Sequence, residues 1–69
     1  MKSNASLRPI SWEEFHALRI GDTVYIKTVD TFRAAQIMRP AFYNSDADEP
    51  DWEVETTNGF SDCYSLYVR

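Results

Sequence analysis

The stretch Asp51–Val68, D-W-E-V-E-T-T-N-G-F-S-D-C-Y-S-L-Y-V, decides the fold. Trp52, Val54 and Thr56 alternate with Glu53, Glu55 and Thr57, then Asn58-Gly59 follows, then a second run with aromatic residues. Alternation on both sides of Asn-Gly is the strongest short-range signal for a β-hairpin. A two-residue turn at Asn58-Gly59 sets Thr57 opposite Phe60, Thr56 opposite Ser61, Glu55 opposite Asp62, Val54 opposite Cys63 and Glu53 opposite Tyr64. Side chains alternate faces along a strand, so Trp52, Val54, Thr56, Ser61 and Cys63 form the predicted core face. Glu53, Glu55, Thr57, Phe60, Asp62 and Tyr64 form the face toward solvent or a partner. Glu55 against Asp62 sets like charges across the ladder, and a bulge at Gly59 would shift the pairing and relieve them.

Upstream of the hairpin the chain reads as one short helix and two further strands. Ser11 and Glu14 have the spacing of a capping box, and Ile10 and Phe15 that of a hydrophobic staple. The helix is predicted over 12–19, with Trp12, Phe15 and Leu18 on its buried face. A strand follows over 23–29, with Val24, Ile26 and Thr28 inward, and Asp30-Thr31 reverses the chain. The next strand, 32–38, is apolar on both faces, which suits a central or bulged position. Pro40 interrupts it, and Ala41-Phe42-Tyr43 extends an edge. Residues 44–50, N-S-D-A-D-E-P, form an acidic loop, and Tyr64-Ser65-Leu66 form a tight turn before a last strand at Tyr67-Val68.

Sixty-nine residues make one domain, 1–69, in which 1–9 is read as a flexible N-terminal arm. The sequence has no long apolar run to span a membrane, and its N-terminus has no apolar core of a secretory signal. A lone cysteine, Cys63, makes no internal disulfide and fits a cytoplasmic location. The net charge of −4 is unevenly distributed. Residues 1–39 carry six basic and four acidic side chains, whereas 40–68 carry seven acidic side chains and no basic one. That asymmetry speaks to partners rather than to fold. Direct nucleic-acid binding needs a concentrated basic surface and is not expected.

No metal, cofactor or catalytic constellation is expected. His16, the sole histidine, reads as a helix-surface residue without a partner placed for base catalysis. Cys63 falls on the predicted core face, where cysteine behaves as a small apolar residue. Asp46-Ala47-Asp48 opens like a calcium loop, but the later ligands and the glycine at the sixth position are missing, and Pro50 intrudes.

Five short strands and one short helix indicate a mainly β domain, a small five-stranded, partly open barrel with one short N-terminal helix. G-D-T-V-Y-I opening the first strand, a central sheet from 32–57 and the late S-L-Y-V resemble SH3-like barrels over roughly 20–69. The resemblance is one of layout, and the proline-peptide groove of SH3 domains does not carry over. In size, charge and compactness the chain is also similar to small acidic phage inhibitors of restriction or CRISPR complexes.

These readings converge on a non-enzymatic protein-binding module, either monomeric or weakly homodimeric, that docks an acidic face on a basic protein surface. The candidate contact residues are Asp46, Asp48, Glu49, Asp51, Glu53, Glu55 and Asp62, with Tyr43, Phe60 and Tyr64 as aromatic anchors. Carboxylates two residues apart on a strand are about 6.6–6.8 Å apart in rise. That spacing approximates the phosphates of a nucleic-acid strand, which makes a DNA mimic physically reasonable. The same carboxylates would equally serve as a solvated, solubilising face. The alternative readings are a small assembly subunit that pairs by its edge strand and, third, a nucleic-acid-binding barrel using Lys27, Arg33 and Arg39.

Overall fold

A computed structural model describes residues 7–69. The elements are β1 (Arg8–Pro9), α1 (Trp12–Ala17), β2 (Thr23–Lys27), β3 (Phe32–Asn44), β4 (Asp51–Thr56), β5 (Gly59–Asp62), a single 3-10 turn at Cys63–Ser65 and β6 (Leu66–Val68). All strand pairs are antiparallel, and the sheet order is β1-β6-β2-β3-β4-β5. The protein is therefore mainly β, as expected, but with six strands among the described residues rather than five. β1 and β5 end the sheet without pairing with each other, so it does not close into a barrel. Of the expected flexible arm, Met1–Ser6 lie outside the described residues. Arg8 and Pro9 are not loose but pair with Val68 and Tyr67.

The long strand β3 is the hinge of the sheet. Its first half, Phe32–Gln36, pairs with β2 and its second half with β4. Pro40 does not break it. The register against β4 shifts between Ile37 and Arg39 and again between Arg39 and Phe42. Those irregularities leave Pro40 without a ladder partner, so its missing N–H costs no hydrogen bond. β2 is shorter than expected. Thr28 is not a core residue but closes the reversal, with its N–H and Oγ1 both donating to the Thr31 carbonyl, at 2.8 and 2.9 Å.

The hairpin forms in a different register. Thr56 pairs with Gly59, Glu55 with Phe60, Val54 with Ser61 and Glu53 with Asp62. The two turn residues are Thr57 and Asn58, one position earlier than expected, and neither has positive φ. Gly59 takes that conformation, with φ 108°. The Thr56 side chain holds the turn: Oγ1 donates to the Gly59 carbonyl at 2.9 Å and accepts from the Asn58 N–H at 3.0 Å. A type I′ turn would require Asn58 to be left-handed, and this arrangement asks it only of glycine. Because the pairing moved by an even step, the faces survive: Val54, Thr56 and Ser61 are buried.

The core comprises Ile10, Phe15, Val24, Ala35, Ile37, Val54 and Leu66, with Leu18, Ile26, Ala41, Cys63 and Val68 packed against it. The helix seals this face through Phe15, which is fully buried. It ends at Ala17, two residues earlier than expected, because Leu18 is already extended. The capping box forms, with Glu14 N–H donating to Ser11 Oγ at 3.1 Å and Ser11 N–H to Glu14 Oε1 at 3.0 Å. Ile10 and Phe15, the staple pair, meet in the same cluster. Trp12 was expected on the buried helix face and is instead half exposed.

Candidate protein-binding face

β4 carries two chemistries because its side chains alternate. Val54 and Thr56 point into the core; Asp51, Glu53 and Glu55 point to the opposite, outer face. The register adds Asp62 beside Glu53, Phe60 beside Glu55, Phe42 on the other flank of Glu53 and Arg39 on the other flank of Glu55. The loop between β3 and β4 folds over the end of this face. Asp48, Glu49, Asp51, Glu53 and Asp62 thereby line one open cleft with Ala47 and Pro50.

Three of the four strand carboxylates are held by a local donor; Glu55 is not. Asn44 Nδ2 donates to Glu53 Oε1 at 2.9 Å, Trp52 N–H to Asp51 Oδ1 at 2.8 Å and Ser65 N–H to Asp62 Oδ1 at 3.0 Å. Among the described residues none of them has a salt-bridge partner. Among the described residues the one salt bridge is Arg8–Glu14, at the far end of the sheet. Arg39, although opposite Glu55, lays its guanidinium on the Phe42 ring at 3.7 Å from the centroid. Arg39 thus stands beside the acidic residues without pairing with one, and seven carboxylates against one neighbouring cation leave this face net negative. Burial, followed by the charges of Asp62 and Asp51, pushes the Cys63 thiol up, so it stays protonated at neutral pH.

The structure brings together most, not all, of the expected contact residues. Asp46 is exposed in the loop beyond the cleft, where its N–H donates to Asn44 Oδ1. Glu55 lies beside the cleft, next to exposed Phe60, whose ring centroid is 5.9 Å from that of Phe42. Tyr43 and Tyr64 lie elsewhere. Tyr43 pairs with Trp52 on the core side of the ribbon, and Tyr64 stands on the 3-10 turn, highly exposed, over a groove lined by Pro9, Ile10, Trp12, Cys63 and Tyr67. Cys63 is not opposite Val54 but opens that turn, half-buried.

Trp52 was expected in the core and is not there. It is 36% exposed and lies between the helix and β3. Its ring meets His16 edge-on at 4.9 Å and Tyr43 at 5.9 Å, and His16 in turn meets Trp12 at 4.3 Å. This surface row of four aromatic rings escaped the sequence reading. The one signal that could have found part of it is the four-residue helical spacing of Trp12 and His16, which that reading set on different faces. Lys27 and Arg33 fall on opposite faces of the β2–β3 ladder, since Lys27 pairs with Phe32 and Ile26 with Arg33. With Arg39 committed to Phe42, the three cations form no stripe.

Among the described residues, no helix is long and apolar enough to cross a membrane and no group of His, Cys, Asp or Glu is placed to hold a metal ion. In comparisons with protein-family models, curated proteins and solved structures, nothing matches the chain.

Proposed function

We propose that this chain is a non-enzymatic protein-binding module that docks the outer face of β4 and β5 on a basic surface of another protein. The observation that carries the proposal is the cleft of Asp48, Glu49, Asp51, Glu53 and Asp62, none of which forms a salt bridge within the described chain. Carboxylates kept apart from the chain's own cations retain their charge for a partner, where they steer encounter and fix orientation. Phe42 and Phe60 add apolar area beside the charge, as the centre of an interface needs.

The sharpest form of this reading is an inhibitor that occupies the nucleic-acid site of its target, as small acidic phage proteins do against restriction or CRISPR complexes. Size, net charge and carboxylate spacing support it. The SH3-like reading of the fold belongs here too. The strand order β6-β2-β3-β4-β5 and the 3-10 turn before β6 support it, with β1 added at the edge. The free thiol of Cys63 supports a reducing, cytoplasmic setting.

Capture from a lysate of the source cells, with elution by duplex DNA, tests the proposal. The expected result is a protein that DNA displaces and that a Glu53→Gln/Glu55→Gln/Asp62→Asn variant of unchanged fold no longer captures. Capture indifferent to both DNA and charge removal overturns it and makes an edge-strand assembly subunit the leading reading.

A further inference from the structure

We infer that the free edge of β5 takes an extended basic segment of the partner as an added strand, with Lys or Arg at every second position. β5 ends the sheet, so among the described residues the outward backbone groups of Gly59–Asp62 belong to no ladder, and no backbone hydrogen bond from a loop, turn or helix reaches them. Only local hydroxyls touch its carbonyls, Thr56 Oγ1 at Gly59 and Ser61 Oγ at Asp62. Two usual guards of an edge are missing, since Gly59–Asp62 holds no proline and no lysine; its short length and Asp62 are what limit pairing, and Asp62 admits a cationic strand. At the other end of the sheet, Pro9 guards β1.

The register dictates which strand fits. A strand added beside β5 sets alternate side chains on the outer face, about 4.5–5.5 Å from Asp62 and Phe60 in Cβ separation. Glu53 and Glu55 then lie one strand further, about 9–10 Å away. A cation at each outer position meets Asp62 first and the Glu53–Glu55 row behind it, and Phe60 offers its ring to the neighbouring cation. The intervening side chains fall beside Ser61, which is buried, so they are small. A second copy of this chain is the wrong occupant. Pairing β5 with β5 in one continuous sheet brings two acidic faces together, where like charges oppose association.

The inference rests on the proposed acidic docking face and adds backbone pairing to it. Amide-resolved NMR titration of the full chain at low ionic strength separates the two. The probes are a capped Arg-Thr-Arg-Thr-Arg-Thr peptide, the same peptide N-methylated at its three Arg or at its three Thr residues, and the block peptide Arg-Arg-Arg-Thr-Thr-Thr. Saturable shifts concentrated at residues 59–62 are expected. Binding should weaken about tenfold or more on methylating one alternate set and change far less for the other, with the block peptide also weak. Equal binding of all four peptides overturns edge pairing and leaves the charged face standing. Binding of none overturns the inference, while the DNA-displacement experiment still decides the proposed function.

Discussion

Glu53 stands directly opposite Asp62 in the β4–β5 ladder, two carboxylates of like charge on one face of the sheet. Moving the register removed the expected clash between Glu55 and Asp62 but set this one in its place. The fold tolerates it because each carboxylate has its own donor, Asn44 Nδ2 for Glu53 and the Ser65 N–H for Asp62. Asp62→Asn keeps an acceptor for Ser65 and removes the repulsion, and should stabilise by about 0.2–1 kcal/mol. Asp62→Ala also removes the repulsion but strips the cap of the 3-10 turn, at a cost of about 0.5–2 kcal/mol. Urea unfolding of the two variants should move in opposite directions; equal shifts would show that Asp62 does not cap the turn.

Glu14 ties β1 to the helix. The Arg8 guanidinium, together with the Ser11 N–H, lowers its carboxyl from 4.5 to about 2. A carboxylate depressed in the folded state contributes stability that is present above its unfolded value and is lost as pH falls through the folded one. This contribution should therefore persist above about pH 4.5 and fade toward about pH 2. Carboxyl NMR titration reads it directly. In Arg8→Gln the Glu14 midpoint should move upward; an unmoved midpoint would assign the shift to the cap alone.

The aromatic residues separate into core and cover. Phe15 is fully buried, so Phe15→Ala should cost about 3–5 kcal/mol. Trp52 keeps 36% of its surface exposed and contributes mainly through its edges to His16 and Tyr43. Trp52→Ala should cost about 1–2 kcal/mol, in the range of aromatic pairs rather than of a core cavity. Chemical denaturation of both variants measures the difference, and a Trp52→Ala cost matching Phe15→Ala would place Trp52 in the core after all.

Gly59 is required by conformation, not by space. A Cβ built there meets nothing within 4 Å, but φ is 108°. Gly59→Ala should therefore cost about 1–2 kcal/mol of backbone strain with no repacking of the core. Thermal unfolding should show the loss, with amide shifts confined to the turn. A neutral substitution would mean that the turn can adopt another type.

Local rules were legible in the sequence because their causes are local. The Ser11–Glu14 capping box, the Ile10–Phe15 staple, the hairpin and its acidic outer face each depend on residues a few positions apart. The β period fixed which residues of β4 face the core, and an even change of register left that parity intact. What the sequence could not supply was the choice between nearly equal turns, settled when Thr56 Oγ1 bridged the Gly59 carbonyl and the Asn58 N–H. Nor could it show that Arg8 and Pro9 join β6, or that Trp52 lies over His16, since those partners are more than thirty residues away in the chain.

By itself, then, the sequence determined a small, mainly β chain with a capped helix and a segregated block of negative charge, because periodicity, caps and composition act without reference to distant residues. Only the tertiary structure decided that the sheet stays open, that Asp48, Glu49, Asp51, Glu53 and Asp62 share one cleft, and that Tyr43 and Tyr64 stand apart from it. The physical reason lies in β3. Its two shifts of register around Pro40 set which β3 side chains flank the carboxylates, with Arg39 beside Glu55 and Phe42 beside Glu53.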